Sequence, residues 1–99
     1  MTHAHVLRLD GEMTVQRAAE LKPLLLAALQ TPASAVELDL SGVTELDSAG
    51  VQLLFLLQRC ADAQQREMRL RHASEAVQQT LSLLGLQGRF GDAGSPQPR

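Results

Sequence analysis

Tryptophan and tyrosine are absent from this 99-residue chain, and Phe55 and Phe90 are its only aromatic residues. Single-stranded nucleic acid is bound largely by stacking bases on aromatic rings, so that class of function is excluded. Basic excess is missing too. Nine Lys and Arg stand against eleven Asp and Glu, a formal net charge of −2, and a protein that grips many phosphates needs the opposite balance. Nucleic acid is not an expected partner. Cys60 is the only cysteine, so no intrachain disulfide can form and a reducing, cytoplasmic setting is the natural expectation. Long apolar runs are lacking as well. "VQLLFLL" falls far short of the ~20 residues that cross a bilayer, and "MTHAHVLRLDGE" has no secretory h-region. No direct membrane insertion is expected.

The residues present alternate between two periodicities. Val36, Leu38 and Leu40 are interleaved with Glu37 and Asp39, Met68 and Leu70 with Arg69 and Arg71, and Leu7 and Leu9 with Arg8. Period-two alternation predicts strands with one buried and one wet face. Glu37, Asp39, Arg69 and Arg71 are expected to line an accessible, solvated face. Between the strands run three helical patterns. The first spans about 15–30, with Thr14 as its expected N-cap and a kink or break expected at Pro23. The second runs from Ser48 to about Ala63. The third spans Glu75 to Leu84, capped by Ser74 and closed by Gly85, with Leu86 supplying the apolar contact of a glycine C-cap. "GRFG", residues 88–91, is either a short last strand or a tether for Phe90. The order strand, helix, strand, helix, strand, helix predicts an α/β sandwich. One domain over residues 1–91 and a flexible tail over 92–99 are expected.

Chemical constellations are few. His3, His5 and His72 lack a fourth ligand at usual spacing, so no metal or other cofactor is expected. Ser48 lacks the glycine-flanked elbow of a hydrolase nucleophile, because position 46 is Leu. No glycine-rich phosphate loop is present. The chain reads as a non-enzyme.

Attention therefore falls on "LDSAGVQLLF". On a helical wheel Leu53, Leu54, Leu57, Cys60 and Ala61 turn toward a core, while Gln52, Gln58, Arg59 and Asp62 mark a wet side. Ser48, Val51 and Phe55 fall on that wet side. Phe55 is either packed against a neighbouring element or an exposed docking anchor beside a hydroxyl. Ser48 is either a cap or a presented hydroxyl, set where free N–H groups and the helix dipole favour an anion.

The segments "LDGEMTVQRAAELKPLLLAAL", "VELDLSGVTELDSAGVQLL" and "MRLRHASEAVQQTLSLLGLQGRF" together resemble the STAS domain, the family of anti-sigma factor antagonists and of domains in sulfate transporters. The resemblance covers His5 to Phe90 and rests on Gly11–Glu12, Leu38 to Val43, Asp47–Ser48–x–Gly50 and Leu84–Gly85–Leu86. It implies a STAS-like sandwich, a mixed four- to five-stranded sheet with helices on one face. It also implies that Ser48 is a phosphoacceptor, with Asp47 supporting docking or phosphorylation and Asp39, as the acid ending the preceding strand, near the binding surface. Asp39, Asp47, Ser48, Val51, Gln52, Phe55 and Arg59 are the expected partner-binding residues. The implied partners are a serine kinase that doubles as an anti-sigma factor, and a phosphatase. The ATPase of a bacterial phospholipid transporter and a chemosensory pathway are the alternatives. Thr14 stands where many members have Asp, and Ala49 where a second serine is common.

Overall fold

The computed structural model of the protein describes residues 4–92. Residues 93–99, most of the expected tail, and His3 lie outside the described residues. The elements are β1 (Ala4–Met13), α1 (Ala18–Ala28), β2 (Ala35–Leu46), α2 (Ser48–Ala63), β3 (Glu67–Arg71), α3 (Glu75–Leu83) and β4 (Gly91–Asp92). The strands form one sheet in the order β1-β2-β3-β4.

Each strand is linked to the next through a helix, which returns the chain to the same end of the sheet. All three pairings are consequently parallel, as crossover connections require. The expected mixed sheet is thus corrected: no antiparallel member occurs among the described residues. The alternating pattern places Val36, Leu38, Leu40, Met68 and Leu70 in a single core with Leu21 and Leu25 of α1, Leu54 and Leu57 of α2, and Val77 and Leu81 of α3. Burial of each such side chain contributes about 1.5–3 kcal/mol. β3 ends at Arg71, opposite Asp39, and α3 takes over beside the second half of β2. Ser74 N donates to Leu40 O at 3.2 Å, and the Thr80 hydroxyl donates to Leu46 O at 3.2 Å.

The polar face is not the solvated surface expected. Glu37 is only 7 % exposed. Arg71 Nη1 reaches its Oε1 at 3.1 Å and Arg69 Nη2 its Oε2 at 3.6 Å. Glu37 and Arg69 are register partners, so the long arginine stems fold over the shorter acid between them. Asp39, Arg69 and Arg71 are themselves half-buried. Charged side chains here provide the cover that a second helix layer gives most parallel sheets.

Two local expectations at α1 also change. Thr14 does not cap it: Thr14 is buried, and its hydroxyl donates to Glu12 Oε1 at 3.4 Å. Residues 14–17 make a turn closed by Arg17 N to Thr14 O at 2.9 Å, and the helix starts at Ala18 behind Arg17, with no side-chain cap. Pro23 does not break the helix, which continues to Ala28. Only one hydrogen bond is lost, to the Ala19 carbonyl, and both residues lie on the exposed side where water can serve that oxygen.

The end of α3 forms as read from the sequence. Gly85 adopts φ 71°, Leu86 N donates to Leu81 O at 2.8 Å and Gly85 N to Ser82 O at 3.1 Å. These are the two bonds of a Schellman motif, with Leu86 packed against the core as its apolar contact. Phe90 is buried and β4 follows it directly, so "GRFG" proves to be tether and strand start together.

Candidate partner-binding site

α2 begins and ends where its sequence pattern placed it, at Ser48 and Ala63. Its start is fixed by Asp47. The carboxylate accepts from Gly50 N through Oδ1 at 3.0 Å, an N-cap bond that satisfies one of the free N–H groups of a helix start. Through Oδ2 it accepts from Val15 N at 3.1 Å, holding the turn before α1 against the start of α2. The bond from Gly50 first, and that from Val15 second, hold the Asp47 carboxyl below its ordinary value of 3.8, since both favour the charged form.

Gly50 makes this arrangement sterically feasible. It is buried, and a Cβ built on it would collide with the Met13 carbonyl oxygen and meet Leu46 Cδ1 at 2.6 Å. Asp47 N donates to the same Met13 oxygen at 3.2 Å. The first turn of α2 thus presses on the end of β1 closely enough that only glycine fits.

With Asp47 as the cap, Ser48 is the first helical residue and its side chain is exposed. The hydroxyl lies in solvent at the positive end of a sixteen-residue helix, where an added anion is favoured by the macrodipole. Val15 stands alongside, 69 % exposed. Val15 is not among the residues expected from the sequence. Its signal, one valine in a polar turn, acquires meaning only through the Asp47 bond across thirty-two residues of chain.

Of the other expected docking residues, Gln52 and Arg59 are exposed. Val51 is not on the wet side. It is 5 % exposed and belongs to the core, because α2 packs on α1 as well as on β2 and β3 and buries a wider stripe than one neighbour would give. Phe55 is not a free anchor either. It is half-buried against the core, its ring 5.2 Å from that of Phe90 and 5.1 Å beneath the Arg89 guanidinium. Arg89 is held there by Gln58, Nη1 to Oε1 at 3.0 Å. The segment returning to β4 therefore covers this edge of α2.

Asp39 does not end its strand, since β2 runs on to Leu46. It lies on the polar face, and its Oδ1 accepts from Ser41 N at 3.0 Å and Ser41 Oγ at 2.7 Å. Those bonds, with Arg8 nearby, lower its pKa. The structure brings together Asp47, Ser48, Gln52 and Val15 and leaves Asp39 apart. Among the described residues no helix is long and apolar enough to cross a membrane, and no group of three His, Cys, Asp or Glu could hold a metal ion.

A family model described as "Mlab, STAS domain" matches residues 2–91. Comparison with curated proteins yields no match. Among solved structures, the chain is similar to the anti-sigma factor antagonist SpoIIAA in its unphosphorylated form, with 22 % identity and a TM-score of 0.73 over 96 % of this chain and 84 % of that one. An anti-sigma factor antagonist from Mycobacterium paratuberculosis gives 22 % identity and a TM-score of 0.75, covering 93 % and 78 % of the two chains. A sulfate transporter family protein from Wolinella succinogenes gives 18 % and 0.72, covering 89 % and 71 %. At these identities the likeness is one of fold.

Proposed function

The chain belongs to the STAS domain family, and from that premise we propose that it is a non-enzymatic, cytoplasmic binding module whose docking to a protein partner is switched by phosphorylation of Ser48. The observation that carries this reading is the Ser48 hydroxyl, exposed on the first turn of α2 while Asp47 does the capping. Modification there leaves every bond of the helix start in place. A phosphoryl group adds about −1.5 to −2 charges beside the Asp47 carboxylate, so it alters what the surface attracts without unfolding the domain. The partner in this reading is a serine kinase that also acts as an anti-sigma factor, and a phosphatase restores the binding form. Asp47, Ser48, Gln52 and Arg59 form the docking surface with Val15, and the half-buried Phe55 contributes at its margin.

A second reading has one observation in its favour: the matching family model is a Mlab-type STAS model, not an antagonist one. In this reading the chain is a constitutive subunit on the ATPase of a bacterial phospholipid transporter, and Ser48 is a contact with no switch. Phosphopeptide mass spectrometry of the protein from its own cells, with and without a neighbouring serine kinase gene, tests the choice. Kinase-dependent phosphate on Ser48 supports the switch. Constant partner binding with Ser48 never modified supports the subunit.

A further inference from the structure

The two edges of the sheet differ. Among the described residues β4 lines one edge with two residues, whereas β1 forms the other with ten. A long edge strand presents a row of unpaired N–H and C=O groups that can template another strand, and short or obstructed edges prevent this. Half of β1 is obstructed. Arg17 Nη1 donates to Asp10 O at 2.7 Å and to Glu12 O at 2.9 Å, laying a guanidinium along the second half. Ala4 to Arg8 carries no such cover among the described residues. Within it Val6 is 42 % exposed, and Leu7, though it shares a face with the core residue Leu9, is only half-buried.

We propose that the protein self-associates through this open half of β1, two copies pairing antiparallel about a two-fold axis at Val6. That register sets Val6 opposite Val6 of the second copy, His5 opposite Leu7, and Ala4 opposite Arg8. It covers the exposed valine and the uncovered flank of Leu7. Arg8, already paired with Asp10 at 3.0 Å, meets an alanine, so no like charges stand opposite. One pairing closes both long edges at once. A registered antiparallel pair of edges is also the isologous contact that gives closed dimers. The result is one continuous sheet of twice four strands whose outer edges, among the described residues, are β3 with the short β4. Ser48 follows the far end of β1, seven residues beyond Val6 at Met13, or roughly 23 Å at ~3.3 Å per residue. The dimer therefore displays its two docking surfaces at opposite ends, suited to engaging two partner chains.

Sedimentation velocity of the full chain over a wide concentration range tests the proposal. A concentration-dependent dimer is expected. Val6→Lys places two ammonium groups opposite each other and should raise the dissociation constant by about tenfold or more, with unchanged circular dichroism. Val6→Glu should do the same. A mixture of the two variants should restore wild-type association, because Lys then faces Glu; this restoration also shows that both variants are folded. A wild-type chain that stays monomeric throughout would overturn the proposal. So would a dimer indifferent to Val6→Lys, or a mixture that does not re-associate.

Discussion

Serine stands at the start of both α2 and α3, yet the two hydroxyls have different fates. Ser74 is the N-cap of α3, and its Oγ accepts from Val77 N at 3.3 Å. Ser48 is one position further in, because Asp47 occupies the cap of α2. A hydroxyl at a helix start is committed to structure when it is the cap and free for chemistry when an acid precedes it. The acid does more than the serine could: with two oxygens, Asp47 ties α2 to Gly50 N and the preceding turn to Val15 N. Phosphorylating Ser74 would remove an accepting geometry, whereas phosphorylating Ser48 removes nothing.

The contrast depends first on the tight seat of α2. Gly50→Val forces a side chain into the Met13 carbonyl and should cost about 3 kcal/mol or more, or prevent folding; urea unfolding measures it. A variant of wild-type stability would show that α2 does not press on β1. Next is the flank beyond the first turn. Phe55→Ala removes a half-buried ring from Phe90 and Arg89 and should cost about 2 kcal/mol, between surface and core values. A loss within about 0.5 kcal/mol would make Phe55 a free anchor after all.

Ser74→Ala removes the α3 cap and should lose about 1 kcal/mol in thermal melts. Asp47 adds a pH signature. Its pKa is lowered in the folded state, so its contribution is full above the ordinary value of 3.8 and fades as pH falls through the lower folded value. Asp47→Asn abolishes that titration. The stability difference between the two proteins should shrink as pH drops below about 4, and a constant difference would contradict the assignment. The smallest effect belongs to Ser48→Ala, expected within about 0.5 kcal/mol of wild type. It should also keep partner binding and lose all phosphate incorporation. A loss comparable with that of Ser74→Ala would mean that Ser48 is a cap.

Local signals reached as far as local causes did. Period-two alternation in β2 and β3, the limits of α2 and the Ser74 and Gly85–Leu86 ends of α3 were legible, because propensity, capping and C-cap chemistry act within a few residues. Thr14 was misread as the cap of α1, and no break occurs at Pro23, where packing of Leu21, Leu25 and Ala28 outweighed propensity. Val51 was misplaced because a wheel has no neighbours and α1 covers that edge, and of the two alternatives for Phe55 the packed one holds, against the returning 89–90 segment.

Composition and periodicity alone specify an α/β chain with an aliphatic core and a serine at the head of α2. These follow from composition and from periodicities written into consecutive residues. The folded arrangement was needed to show that Glu37 is buried under two arginines, that Val15 meets Asp47, that Asp39 stands apart from that pair, and that half of β1 is an open edge among the described residues. Each of those depends on residues distant in the chain meeting at one place, and the strand order and crossovers that bring them together are properties of the whole sheet.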